Sequence, residues 1–309
     1  MPVEIRNNMP RLVRRVGLII ADTLQPSVGQ NINGPTCVEM PDWFTARLGR
    51  FHLYFADHLG KYIKLAFCDT VDGQWSIAGS QALDLRYFKD AYDHIASPDV
   101  LLDEERQLLI LYFHARARSK GREQWTFAMC LDKNGRVVEI IDVPLAPFYL
   151  RVFRHNGEVF GLSKGGLCWR SPDGLTPFSR GTNIINPNRS DDLWQNQNGD
   201  VRHVAVDLRG TNLDVYFTRI GDKPERIFWG TVDISEKDWK SWAMGEVTEL
   251  MRPEEEYEGV NTPLTPSHSG PSLQMENALR DPFFFRLDDK KYLFYSVAGE
   301  KGIGLAKLR

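Results

Sequence analysis

Acids, histidines and cations recur at two kinds of position along this chain, just before and just after short apolar stretches. The positions before such a stretch carry Asn33, His94, Asp99, Arg151, Arg202, His203, Arg280 and Asp281. The positions after the next stretch carry His58, His114, Arg116, Lys164 and Arg219. Side chains of these types donate hydrogen bonds to hydroxyl groups and pair with anions. If they converge in space, they form a binding site for a hydroxyl-rich or anionic ligand.

The apolar stretches themselves predict an all-β protein. They are short and rich in aromatic and β-branched residues, and stretches with helical periodicity are scarce. Aromatic-rich strands are predicted at 51–55, 109–113, 158–162, 213–217 and 292–296. The first four follow one another at steps of roughly 50 residues, a spacing typical of propeller blades. The sequence therefore predicts a single five-bladed β-propeller domain spanning residues 1–309.

Ring closure and the position of a site follow from this repeat. The fifth unit ends at Arg309 after only three strands, so the apolar stretch 16–22 is predicted to supply the missing outer strand. In an antiparallel blade the first strand starts, and the second ends, at the same edge of the sheet. The polar positions are therefore expected to meet in a central funnel. The stretch 252–279 lacks periodicity and is predicted to be a long functional loop over one face.

Composition argues against several classes of partner. The net charge is −3 and the pI is about 6.2, whereas nucleic-acid binding usually shows as a basic excess. The apolar segment 17–21 is too short for a signal peptide or a membrane span. We expect a cytoplasmic protein with neither a nucleic-acid nor a membrane partner. The four cysteines form no CxxC pair and lie in apolar runs, which predicts buried free thiols.

Two short motifs resemble glycoside hydrolase family 43. They are Ser97-Pro98-Asp99-Val100, and Arg280-Asp281-Pro282 with the aromatic residues that follow it. The Arg-Asp-Pro triplet also occurs in fructan-cleaving propeller enzymes. The resemblance implies a glycosidase that acts on an oligosaccharide through carboxylates at the starts of inner strands. It makes Asp99 the aspartate that tunes the catalytic acid, and it gives Asp281 a catalytic role.

The chain also departs from the family pattern. Asn33-Gly34-Pro35 stands where the family has its catalytic aspartate, and 148–151 stands where it has the acid glutamate. An amide cannot act as a base, and an arginine cannot protonate a leaving group. Glu276 is expected to substitute as a third carboxylate. Glu258, Glu300, Asp57 and Asp93 are further acids that could do so.

The remaining polar positions are predicted to bind the substrate. They are His58, His94, His114, Arg151, Lys164, Arg202, His203, Arg219, Arg280 and Asn33. Their many cations suggest an acidic or sulfated sugar. No cofactor is expected to be required, although the resemblance allows a calcium ion on the axis near His203. The alternatives are a non-catalytic carbohydrate-binding propeller, and a lyase or phosphorylase that acts on an anionic sugar.

Overall fold

The computed structural model describes residues 9–309 apart from 25, 58–59, 122 and 187–198. Within these residues the regular structure consists of β-strands and short 3₁₀ turns. The strands form five antiparallel sheets. No helix among the described residues has the length and apolar character needed to cross a membrane.

Each sheet is one blade, and in blades I to IV the strands follow one another in the chain. Blade I contains β2 (Ile32–Glu39), β3 (Phe51–Asp57), β4 (Tyr62–Cys68), β5 (Ser76–Ile77) and β6 (Leu83–Asp84). Blade II contains β7 (Ala91–Asp103), β8 (Leu108–Ala117), β9 (Gln124–Leu131) and β10 (Val137–Pro147). Blade III contains β11 (Arg151–His155), β12 (Glu158–Ser163), β13 (Leu167–Ser171) and β14 (Ser179–Asn183). Blade IV contains β15 (Val201–Arg209), β16 (Asn212–Arg219), β17 (Ile227–Asp233) and β18 (Thr248–Met251).

Blade V joins the two ends of the chain. It contains β19 (Arg280–Leu287), β20 (Lys290–Val297), β21 (Gly302–Leu308) and the N-terminal strand β1 (Leu12–Ala21). Strand β1 pairs with β21 in antiparallel register, from Leu12 opposite Leu308 to Ala21 opposite Gly302. The predicted five-bladed propeller and its closure by the N-terminal strand are confirmed, although β1 begins earlier than the predicted 16–22. The assignment of residues 1–309 to one domain stays a prediction.

The apolar core is divided into five clusters, and each cluster lies between two neighbouring blades. For example, Tyr54 of blade I packs with Phe113 of blade II, and Phe51 of blade I packs with Phe294 of blade V. Burial of these faces drives blade association, so the clusters close the ring in the order I to V. The four cysteines are buried and free, as predicted.

The long segment before blade V is ordered against the ring. Its 3₁₀ turn Glu256–Glu258 places the Glu258 carboxylate 2.8 Å from Arg15 of β1 and 2.7 Å from the Tyr295 hydroxyl. Further along the segment, the Ser272 carbonyl accepts a hydrogen bond from Asn31 at 2.7 Å. These contacts hold the segment over the face at which the inner strands begin.

Candidate functional site

The inner strands share a distortion at the end where they begin. In blades I, II, IV and V, extra residues in the first strand interrupt its pairing with the second, which is the mark of a β-bulge. Gly34, Ser97, Tyr149 and Asp281 lie at this end with positive φ angles of 63°, 43°, 61° and 46°. Ser97 and Asp281 lie within the bulges of blades II and V, whereas Tyr149 precedes β11, whose pairing with β12 is regular. Non-glycine residues with positive φ cluster at functional sites. The distortion redirects the side chains that follow toward the axis.

Arg151 occupies the axis and contacts every blade. Its guanidinium donates to the Thr36 hydroxyl, to the Pro35 carbonyl at 3.1 Å, to the Pro98 carbonyl at 2.7 Å and to the Val204 carbonyl at 3.2 Å. It also lies 5.2 Å from the centre of the Phe283 ring of blade V. The predicted convergence of the inner strands is therefore correct. Protein acceptors surround the guanidinium of Arg151, and its role in substrate binding stays a prediction.

Asp99 lies beside Arg151, below the mouth of the funnel. One carboxylate oxygen is 3.3 Å from Arg151, and the other accepts a hydrogen bond from the Val152 backbone at 2.8 Å. Burial raises the pKa of Asp99, and Arg151 opposes the shift without cancelling it. The side chain is buried and bound to Arg151 and the Val152 backbone. This geometry indicates that Asp99 stabilises the packing of the inner strands around the axis.

Asp281 and His203 form a second buried pair. The Nε2 atom of His203 is 2.9 Å from one carboxylate oxygen of Asp281, and the Ser296 hydroxyl donates to the other at 2.9 Å. The backbone N–H of Asp281 points at Nδ1 of His203, 3.4 Å away, so the imidazole proton sits on Nε2. Burial lowers the pKa of His203. Burial also acts to raise the pKa of Asp281, but His203 and Ser296 outweigh it and hold that pKa below its usual range. Asp281 is therefore ionised at neutral pH and is unsuited to donate a proton.

The axial residues do not fit a calcium ion. Calcium needs several oxygen ligands around an open centre, but here the carbonyls of Pro35, Pro98 and Val204 converge on the guanidinium of Arg151. His203 is engaged by Asp281. Among the described residues no group of three or more His, Cys, Asp or Glu side chains could hold a metal ion.

Glu225 links Arg202 and Arg280 in a buried charge network between blades IV and V. Its two oxygens lie 2.8 Å from Arg202 and 3.0 Å from Arg280. Arg280 also contacts Glu276 at 2.6 Å and Glu300 at 3.5 Å. Arg280 and Glu276 are both predicted site residues, and their roles in binding and catalysis stay predictions. Arg280 is fully buried among protein carboxylates rather than exposed to a ligand, and Glu276 is paired with it rather than facing the other carboxylates across a bond.

A cavity of about 420 Å³ opens at the mouth of the funnel, over blades II, III and IV. The described side chains and backbone that line it belong to Asp93, His94, Arg116, Gln124, Phe148, Tyr149, Lys164, Arg202, Ile220, Ser269, Gly270 and Pro271. Three of the residues predicted to contact the ligand lie on this wall: His94, Lys164 and Arg202. The wall combines three cations, two aromatic rings and an imidazole. Among its described residues, Asp93 is the one carboxylate.

Other predicted binding residues lie away from the cavity wall. His114 is buried behind it, with its ring centre 4.9 Å from that of Tyr149. Arg219 is half-buried on the Phe228 ring, 4.4 Å from its centre. The buried amide of Asn33 donates to the Asn31 carbonyl at 3.4 Å. His58 lies outside the described residues.

Gln124 and the segment 269–271 are wall residues that sequence reasoning missed. Gln124 pairs with Arg116 across β8 and β9, so the end of β8 carries its neighbour on β9 to the cavity. The pairing of β8 with β9 was the feature from which Gln124 could have been predicted as a wall residue. The segment 269–271 comes from the long loop, whose path no periodic pattern in the sequence predicts.

The inner strands of blades I and II approach each other closely at Gly34. A Cβ atom at Gly34 would lie 2.6 Å from Cα of Ser97, a backbone atom that cannot rotate away. The inner strands of blades I and II therefore approach each other at a distance that only glycine allows.

No profile of a known protein family matches the chain. The chain is 35% identical over 299 residues to the uncharacterized protein R118 of Acanthamoeba polyphaga mimivirus, across 90% of this chain and 83% of that protein. Among solved structures it resembles one described as a glycoside hydrolase, with a TM-score of 0.66, 12% identity, and coverage of 98% of this chain and 94% of that one.

Two further solved structures resemble the chain with similar TM-scores. An α-L-arabinofuranosidase from Lactobacillus brevis superposes with a TM-score of 0.62 and 12% identity, over 91% of each chain. A family-43 enzyme from Xanthomonas citri, complexed with xylotriose, superposes with a TM-score of 0.59 and 13% identity, over 91% of this chain and 87% of that one. At such low identity, these likenesses establish a shared fold.

Proposed function

Because this chain belongs to the family of mimivirus protein R118 and has the propeller fold of family-43 glycoside hydrolases, we propose that it binds an anionic oligosaccharide in the cavity at the funnel mouth. The observation that carries the proposal is the composition of the cavity wall. Among the described residues that line the wall, Arg116, Lys164 and Arg202 are cations and Asp93 is the one carboxylate, while Glu225 behind the wall pairs with Arg202. A concave wall with an excess of one charge concentrates ligands of the opposite sign.

The aromatic part of the wall suits a sugar ring. Phe148 and Tyr149 lie side by side, with ring centres 4.6 Å apart. The ammonium group of Lys164 lies 5.2 Å from the centre of the Phe148 ring. Aromatic faces pack against the apolar faces of sugars, while cations and amides bind their polar substituents. The wall offers both kinds of contact within one cavity.

Glycoside hydrolysis is the second candidate, and the fold likeness favours it. Retaining and inverting enzymes flank the glycosidic bond with two carboxyl groups about 5 to 10 Å apart. In this chain Asp99 is bound to Arg151, Asp281 to His203, and Glu276 to Arg280. Each predicted catalytic acid is thus engaged by a protein partner, and this argues for anion binding ahead of two-carboxylate hydrolysis.

Titration calorimetry tests the proposal with two oligosaccharides of equal length, trigalacturonate and xylotriose. We expect trigalacturonate to bind at least about tenfold more tightly, since a charge-assisted hydrogen bond contributes about 1.5–3 kcal/mol. Lys164→Gln should weaken that binding about tenfold. The matched control is Lys290→Gln, which removes the same charge from an exposed residue at the start of β20, outside the cavity wall. Equal affinity for the two sugars, or an unchanged affinity after Lys164→Gln, would contradict an anionic ligand.

A reducing-end assay over a panel of neutral and acidic oligosaccharides tests hydrolysis. If Asp281 is catalytic, Asp281→Asn should lower the rate at least about a hundredfold, the usual scale of an acid–base contribution. A rate at the level of the unmodified protein would remove Asp281 from catalysis.

A further inference from the structure

A second cavity adjoins the cavity at the funnel mouth. Its volume is about 520 Å³, and the described residues that line it are Tyr92, Asp93, Arg116, Arg118 and Gly121 of blade II. Asp93 and Arg116 also line the cavity at the funnel mouth, so the two cavities meet at these residues. Each has the size of an ordinary ligand pocket, about 300–1,000 Å³. Together they form one path from the funnel mouth onto blade II.

The length of blade II accounts for the second cavity. Strand β7 has 13 residues and β8 has 10, whereas the first strands of the other four blades have five to nine. In the extension Tyr92 pairs with Arg116, beyond a register shift between Tyr92 and Ala96. Asp93 lies in this bulge with a φ of 76°. Because a bulge bends its strand, Tyr92 lines the second cavity while His94 lines the funnel mouth.

Asp93 and Arg116 form a half-exposed ion pair where the cavities meet. The guanidinium of Arg116 lies 3.5 Å from the carboxylate of Asp93. The cation offsets the charge of the acid, so the junction repels an anionic chain less than a lone carboxylate would. The pair also offers hydrogen-bond donors and acceptors to the hydroxyl groups of a sugar. An acidic oligosaccharide can therefore cross it.

Arg118 is the cation beyond this junction, and two contacts hold its guanidinium. The group lies 4.5 Å from the centre of the Tyr92 ring, and its Nε donates to the Lys89 carbonyl at 3.1 Å. Among the described residues, no carboxylate pairs with it and nothing accepts a hydrogen bond from its two terminal nitrogens. The nearby carboxylate of Asp90 is instead bound by the backbone N–H and hydroxyl of Ser119, at 2.7 Å and 2.6 Å. A guanidinium held in this way suits a carboxylate, which it binds through two parallel hydrogen bonds.

We propose that the anionic oligosaccharide runs from the funnel mouth, across the Asp93–Arg116 pair, into the second cavity. There Arg118 binds the acidic group of a further sugar residue, and the Tyr92 ring supports the guanidinium. The inference rests on the proposed binding of an anionic oligosaccharide at the funnel mouth. It names the ligand more closely, as a chain that is longer than three residues and carries acidic groups on residues several positions apart.

Titration calorimetry with trigalacturonate and hexagalacturonate tests the second cavity. A six-residue chain presents about four overlapping three-residue stretches, so this multiplicity alone raises its affinity by no more than about fourfold. We expect hexagalacturonate to bind at least about tenfold more tightly than trigalacturonate, the scale of one charge-assisted hydrogen bond. Because Arg118 is exposed, the advantage of the longer chain should shrink in about 1 M salt, which screens such contacts.

Arg118→Gln is the decisive variant because it removes the guanidinium from an exposed position and leaves the funnel mouth unaltered. We expect the affinity for hexagalacturonate to fall to within about fourfold of that for trigalacturonate, while trigalacturonate affinity changes less than about threefold. Arg86→Gln is the matched control. Arg86 is an exposed arginine 5.5 Å from the centre of the Tyr87 ring, outside both cavities, and its loss should leave both affinities unchanged.

The outcomes separate this inference from the proposed function. If hexagalacturonate binds within about fourfold of trigalacturonate, or if its advantage persists in Arg118→Gln, the second cavity is not part of the site, and the anion-binding proposal stands. Absence of binding by either oligosaccharide would overturn both. Equal melting temperatures of the two variants and the unmodified protein would show that the fold is retained.

Discussion

Replacing Arg151 by methionine removes the guanidinium on which all five blades converge. The substitution keeps a long side chain in the axis but leaves the carbonyls of Pro35, Pro98 and Val204 without their donor. It also leaves the buried carboxylate of Asp99 without the cation 3.3 Å away. We expect a large loss in the free energy of unfolding, because the packing of the five blades around the axis is weakened.

The expected size follows from these contacts. Removing one partner of a buried ion pair costs about 3–5 kcal/mol, because an uncompensated charge is left behind. Each carbonyl deprived of its donor adds about 1–3 kcal/mol unless water replaces the guanidinium. With water replacing the guanidinium at the carbonyls, we take the upper end of the ion-pair cost, about 5 kcal/mol, as the expected loss in the free energy of unfolding. At about 2 °C per kcal/mol for a chain of this size, the melting temperature should fall by about 10 °C.

The loss should depend on pH. Burial raises the pKa of Asp99, and Arg151 opposes that shift. Without Arg151 the folded-state pKa rises further, while the unfolded-state pKa is unchanged. A raised acid pKa means that stability is higher below that pKa and is lost as pH rises through it. The difference in unfolding free energy between the two proteins should therefore be largest at neutral pH and shrink in mildly acidic buffer.

Chemical denaturation at several pH values measures the effect. Arg154→Met is the matched control: it removes a half-exposed arginine from the same strand, 2.9 Å from Asp103, and should cost less than about 1 kcal/mol. If Arg151→Met does not fold, the double variant with Asp99→Asn is expected to recover folding, because it removes the unpaired charge. A loss no larger than that of Arg154→Met, or a pH-independent loss, would refute the role given to Arg151.

Two further substitutions probe the funnel. Gly34→Asp puts a side chain where Cβ would lie 2.6 Å from Cα of Ser97. We expect a loss of at least about 2 kcal/mol in the free energy of unfolding and no gain in glycosidase rate; a stable, faster variant would contradict this. Glu225→Gln should cost about 3–5 kcal/mol in thermal unfolding because Arg202 and Arg280 lose their shared carboxylate, and an unchanged melting temperature would show that the network contributes nothing.

The sequence by itself determined the architecture. Aromatic-rich strands recurred at blade spacing, and the strand lacking from the last unit had a match at the N-terminus. Propeller blades bury both faces against their neighbours, so each blade needs similar strands and the repeat is visible along the chain. The convergence of polar groups followed from antiparallel connectivity alone.

The division of those polar groups between ligand and protein was decided only by the tertiary structure. Arg151 and Lys164 are both buried cations near strand ends, yet Arg151 faces the carbonyls of three other blades while Lys164 lines the cavity. Glu225, one partner of Arg280, and His203, one partner of Asp281, each lie more than fifty residues away in the chain. A buried charge must find its neutralising partner in space, and no pattern of neighbours in sequence records which partner it finds.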